Sequence, residues 1–190
     1  SPHLVRFNER IAVNGVPLTD DELLALWDRC EAAEERSAVG APGGRATFFE
    51  FTTALAFAYF QQRSVQTAVV EVGMGGRLDA TNVVAPLLSV ITPVSLEHTE
   101  YLGKTVAAIA GEKCGILKPG RPVVYAQPDP EAAAVVRRTA AERGCRCVNA
   151  MDAVRWNEWH RIWTVRKSVS HPKTRITEPC GCGCWDGIRR

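Results

Sequence analysis

The sequence predicts an α/β fold: a doubly wound, mostly parallel sheet flanked by helices. Three observations lead there. TAVVEV (67–72), LLSVIT (87–92) and RPVVYA (121–126) are short apolar runs rich in β-branched residues, as strands are. Longer stretches with helical spacing lie before, between and after them. A length of 190 residues, 46% of them hydrophobic, suits one compact domain with a real core. Strands that alternate with helices pair in parallel, because each crossover returns the chain to the same end of the sheet.

The elements follow in order. TDDELLALWDRCEAAEER opens on Thr19 with Glu22 three residues on, the capping-box spacing. Leu23, Leu26, Trp27 and Cys30 then recur at helical intervals. SAVGAPGGRA is a loop by its Gly, Pro and Ser content. A second T-x-x-E, at Thr47 and Glu50, starts TFFEFTTALAFAYFQQ, which is apolar nearly all round and is expected to be buried. YLGKTVAAIAGEKCGIL reads as one helix, with Gly103 and Gly111 working against it. DPEAAAVVRRTAAERG is a helix with Pro130 near its first turn and Gly144 after its end. CRCV begins one more strand.

A formal charge of +2 forces no partner class, so neither nucleic acid nor membrane is expected. No apolar run approaches the roughly 18 residues a bilayer span requires. SPHLVRFNER has no basic n-region or apolar h-region, so it is not a secretory signal. It also lacks an initiator Met, and the start is expected to be cut or incomplete. The seven cysteines resemble no secreted disulfide framework, which points to a reducing, cytoplasmic setting. Cys30 and Cys114 read as small buried hydrophobes. From Asn149 to Arg190 there are eight Lys and Arg against four Asp and Glu, and four of the five tryptophans. That change of composition divides the chain into residues 1–148 and a divergent tail, 149–190, expected to be disordered or frameshifted.

In parallel sheets ligands bind beyond the carboxyl ends of the strands. EVGMGGRLDATN (71–82) lies at such an end, as does the stretch around His98. Glu71 and His98 could meet there around a divalent cation. The alternative is a lone surface His and an acid that caps a loop. Gly73, Gly75 and Gly76 fit a turn that lets backbone approach a ligand, or a turn and nothing more. Arg77 and Asp79 add a charged pair that is wasteful unless something binds. Gly103-Lys104-Thr105 is not the end of a G-x-x-x-x-G-K-[ST] phosphate loop, because the first glycine would fall on His98; it reads as a helix start.

SPHLVRFNERIAVNG, TFFEFTTALAFAYF, EVGMGGRLDATNVV, EHTEYLG and IAGEKCGILKPG together resemble bacterial folylpolyglutamate synthase/dihydrofolate synthase, of the Mur ligase superfamily. The match runs in register from Ser1 to about Val148. The resemblance implies an ATP-dependent ligase that activates the carboxylate of a folate or dihydropteroate as an acyl phosphate and joins it to L-glutamate. It implies Mg²⁺ held by Glu71 and His98, and a Lys113 that is carbamylated, since a carbamate attracts the cation that an ammonium repels. It implies a pterin pocket lined by Thr47, Phe49, Asp79 and Ala80, with Ser1, Pro2 and His3 in a loop beside it, and a monomer when full length. Thr47 also fits a plain helix N-cap, and Phe49 plain core packing.

Three departures bear on activity. Glu97 stands where the family usually has an aspartate. The family's phosphate loop and its C-terminal domain have no counterpart in these 190 residues, so the chain alone is expected not to catalyse ligation. Two alternatives remain at this stage: a non-catalytic remnant with weak pterin or Mg²⁺ binding, and a relative of the peptidoglycan-type Mur ligases. In the tail, His171, Cys180, Cys182 and Cys184 could be read as a metal site, but CGCGC fits zinc spacing poorly.

Overall fold

The computed structural model describes residues 3–38 and 44–153. Ser1, Pro2, the tail tryptophans and the metal reading of His171 and the last three cysteines lie outside them. The described residues divide into two compact units. One comprises those up to Ala85 with Glu112–Ile116; the other comprises Pro86–Gly111 with those from Leu117 on.

The first unit opens with a 3₁₀ turn, Phe7–Arg10, and a hairpin of β1 (Ala12–Val13) and β2 (Val16–Pro17). Asn14 and Gly15 join the strands at φ of 54° and 79°, the pair of positive values that a two-residue hairpin turn of matching twist demands. Helix α1 (Asp20–Ala38) begins where expected: Glu22 N–H donates to Thr19 Oγ1 at 3.2 Å and Thr19 N–H to Glu22 Oε2 at 2.8 Å. Helix α2 (Phe48–Gln62) begins with the same box, made by Thr47 and Glu50. The two helices pack through Leu26, Cys30, Phe51, Ala54, Leu55 and Tyr59, closed below by Ile11 and Leu18 of the hairpin region. Trp27 lies against Phe51 with ring centroids 4.6 Å apart. The Tyr59 hydroxyl, buried among these, donates to the Glu22 carboxylate at 3.2 Å. One acid therefore caps α1 and anchors α2.

The second unit holds the sheet. β3 (Ser89–Ile91), β4 (Val123–Tyr125) and β5 (Cys147–Asn149) pair in parallel in that order. Ser89 is opposite Val123, and Val123 opposite Cys147. Helix α5 (Pro130–Glu142) is the crossover from β4 to β5. Its N-cap Asp129 accepts from the Glu131 and Ala132 N–H groups, and Gly144 follows its end at a φ of 62°. The α/β class and the parallel pairing are as the sequence predicts.

Two predicted elements differ. The helix expected over 101–117 is two, α3 (Thr99–Leu102) and α4 (Val106–Lys113), because Gly103 sits at a φ of 108°, which no helix accommodates. Thr105 Oγ1 then accepts from the Ala108 N–H, so GKT is a helix start as read. No strand forms over 67–72. No described strand runs beside that segment, and Val69 is 97% exposed; a β-branched run becomes a strand only where a neighbour takes up its N–H and C=O groups. A four-residue helix, α6 (Ala150–Ala153), closes the described chain.

Candidate functional site

Helix α2 is apolar all round because it has two jobs. Phe51, Ala54, Leu55 and Tyr59 face the core. Phe49, Thr52, Thr53, Ala56, Phe57 and Phe60, spaced at helical intervals on its other side, line a cleft of about 430 Å³ in the first unit. The threonine hydroxyl protons are already committed: Thr52 donates to the Phe48 carbonyl at 2.7 Å and Thr53 to that of Phe49 at 2.8 Å. The facing wall is Val69, Val70, Glu71 and Gly73, with His3, Glu9 and Arg10 at the polar rim.

That rim is internally ordered. Arg10 Nε donates to His3 Nδ1 at 2.9 Å. The Glu9 carboxylate collects the N–H groups of Leu4, Val5 and Arg6 at 2.8, 3.0 and 2.8 Å. The Arg6 N–H foremost, then that of Leu4, holds the Glu9 carboxyl below its ordinary value.

The glycine turn is ordered by its own acid. Asp79 Oδ2 accepts from the Gly73 and Met74 N–H groups at 3.0 and 2.9 Å. Oδ1 accepts from the Thr81 N–H at 3.0 Å and from its hydroxyl at 2.5 Å. A carboxylate offers about four lone-pair directions, and the loop uses them. Arg77 is likewise engaged: its guanidinium forks onto Glu112 with three contacts of 3.0–3.1 Å. The idea that this charged pair is wasteful without a ligand is thereby corrected. Both charges have structural work.

The residues singled out from the sequence fall as follows. Glu71 is exposed at the cleft, and Phe49 both lines the cleft and lies under Gly73, where a Cβ would come within 2.5 Å of its ring. Asp79 shapes the turn, and Ala80 is buried in the core cluster beside α2. Thr47 caps α2 and is exposed. Lys113 ends α4, half-buried, and its carbonyl would stand 2.9 Å from a Cβ at Gly76. All of these belong to the first unit. His98 belongs to the second, exposed before α3 in the left-handed region at a φ of 48°. Among the described residues no three His, Cys, Asp or Glu side chains gather as a metal cage. Sequence reasoning missed Glu9, Arg10, Phe57 and Phe60; the recurrence 49, 52–53, 56–57, 60 along α2 was the signal that could have found the last two.

The chain is 42% identical over 171 residues to folylpolyglutamate synthase of Lacticaseibacillus casei. It is 44% identical over 157 residues to dihydrofolate synthase/folylpolyglutamate synthase of Bacillus subtilis. The chain is a homologue of the folylpolyglutamate and dihydrofolate synthases. These alignments cover 90% and 80% of this chain but only 38% and 36% of the two relatives, so the chain spans little more than a third of their length. A solved complex of a folylpolyglutamate synthase with AMPPCP and folate superposes with a TM-score of 0.74 at 45% identity, over 78% of this chain and 36% of that one. No family model matches.

Proposed function

We propose that this chain is part of an ATP-dependent ligase that joins L-glutamate to the carboxylate of a folate or dihydropteroate. The observation that carries the reading is the cleft: an aromatic stripe of α2 faces a tightly ordered glycine turn with Glu71 at its mouth, in a homologue of synthases that include a folate complex. A flat heteroaromatic ring needs such a wall, and Phe49, packed against Gly73, supplies a ring to stack on. In the reaction a carboxylate oxygen of the acceptor attacks the γ-phosphorus and ADP leaves. The glutamate amine then attacks the acyl carbon, loses its proton to a base, and phosphate leaves.

Mg²⁺ fits what the residues offer. It prefers oxygen, keeps several waters, and takes one or two protein carboxylates plus substrate phosphates, which suits an exposed Glu71 better than a preformed cage. Glu71 and a Lys113 carbamate, both of the first unit, would hold it, and it would neutralise phosphoryl charge. Lys113 gains that carbamate when its neutral amine adds to the carbon of CO₂ and releases a proton. The family resemblance also supports a monomer, and a cysteine pattern unlike any secreted disulfide framework supports a reducing, cytoplasmic setting.

Fluorescence titration of the chain with dihydropteroate and with folate tests this reading. Binding is expected, weakened roughly three- to tenfold in Phe49→Ala, the worth of one stacking contact. Absence of pterin binding, or an unchanged affinity in the variant, would refute it. Folate-dependent ADP formation is not expected from these 190 residues alone, which contain no G-x-x-x-x-G-K-[ST].

A further inference from the structure

We propose that Arg77 and Glu112 are positioning residues that lock the end of α4, and with it Lys113, onto the turn that carries Glu71. The inference rests on the reading of Lys113 given above. Two short segments, 76–82 and 112–115, are joined by several contacts at once. Arg77 grips Glu112 twice: its N–H donates to the Glu112 carbonyl at 3.0 Å, while Nε reaches both carboxylate oxygens at 3.1 Å and Nη2 reaches Oε1 at 3.0 Å. Glycine makes this approach feasible from both sides. A Cβ at Gly76 would lie 2.9 Å from the carbonyl oxygens of Glu112 and Lys113, and one at Gly115 would lie 2.3 Å from Arg77 Cα. Asn82 closes the join, with Nδ2 donating to the Arg77 carbonyl at 3.0 Å and to that of Gly115 at 3.3 Å.

The ion pair is not there for stability. The Arg77 side chain is 57% exposed and that of Glu112 27%, and such pairs contribute little to folding in water. A two-point grip does something else: it removes rotation and sliding of one segment on the other. Lys113 follows Glu112 directly, and Glu71 stands two residues before Gly73, where the glycine turn begins. Fixing Arg77 on Glu112 therefore fixes where the Lys113 main chain stands relative to the loop bearing the acid. A guanidinium is needed, because an ammonium cannot make the forked contact.

The test is ¹³C-bicarbonate NMR of the whole chain, comparing wild type with Arg77→Ala, Arg77→Lys and Lys113→Ala, with thermal melts and amide exchange beside it. Loss of the carbamate signal in Lys113→Ala assigns it and tests the underlying reading on its own. The bicarbonate concentration for half-occupancy is expected to rise roughly tenfold in Arg77→Ala, the usual scale for a lost orienting partner, with little change in melting temperature. Arg77→Lys is expected not to restore it. Unchanged occupancy in Arg77→Ala, or full rescue by lysine, overturns the lock in favour of charge alone or of nothing. If wild type shows no carbamate, the Lys113 reading fails, and exchange decides the lock. Joint loss of protection over 73–79 and 112–116 in Arg77→Ala supports it; loss confined to one segment overturns it.

Discussion

Two glycines four residues apart, Gly111 and Gly115, should respond in opposite directions to the same substitution. At Gly115 a new Cβ would lie 2.3 Å from Arg77 Cα, 2.4 Å from its Cβ and 2.6 Å from its nitrogen. Carbon atoms rest about 3.5–4.0 Å apart, so the overlap exceeds an ångström and falls on main chain that cannot rotate aside. Gly115→Ala should therefore cost about 1–3 kcal/mol, the range for forced overpacking. At Gly111, inside α4, a Cβ meets nothing within 4 Å. Gly111→Ala should gain about 0.5–1 kcal/mol by restricting the unfolded chain and favouring the helix. Urea unfolding followed by far-UV circular dichroism measures both. With slopes of about 1–3 kcal/mol per molar, a loss of ~2 kcal/mol moves the midpoint down by roughly 1 M. A Gly115→Ala midpoint equal to wild type would refute the close approach. A fall in Gly111→Ala would show that this glycine answers to something other than helix propensity.

Asp79→Ala leaves four donors of the glycine turn without their acceptor and should cost about 1–3 kcal/mol. Amide exchange should show Gly73, Met74 and Thr81 losing protection together; unaltered protection would mean the carboxylate does not order the turn. Glu9 supplies a pH test. Its folded pKa lies below the ordinary 4.5 because backbone N–H groups hold the anion. Its contribution is thus complete above 4.5 and is lost as pH falls from there through the lowered value. In Glu9→Gln that dependence disappears, so the gap in melting temperature between wild type and variant should be constant above 4.5 and narrow below it. A gap that widens on acidification would reverse the sign and refute the assignment.

What was legible in the sequence was what short-range chemistry determines. Thr19 with Glu22 and Thr47 with Glu50 announced both long helices, since a capping box needs only residues three apart. Cys30 and Cys114 are buried as read, and the β4–α5–β5 unit appears with its Pro and Gly where expected. The failures have several causes. TAVVEV has the composition of a strand, but composition does not supply a neighbour. V-N-G-V was a hairpin signal that went unread between β1 and β2. At the site, Glu71 and Phe49 were picked out and do line the cleft. Arg77 and Asp79 were misjudged for a different reason. Their partners are Glu112, thirty-five residues away, and a set of backbone N–H groups that no side-chain pattern reveals.

The two faces of α2 tie recognition to folding. An occupant of the cleft would sit on the same 15-residue helix whose far side builds the core, so it would act on the unfolding equilibrium as directly as a buried leucine does. At a hundred times its dissociation constant a ligand adds about 2.7 kcal/mol to the stability of what it binds. Melting curves would then serve as binding curves. Substitutions along the helix should fall into two classes: those at 51, 54, 55 and 59, and at 56 and 60, which also pack on the core, weaken the protein whether or not ligand is present, whereas the cost at 57 shows chiefly when the cleft is filled.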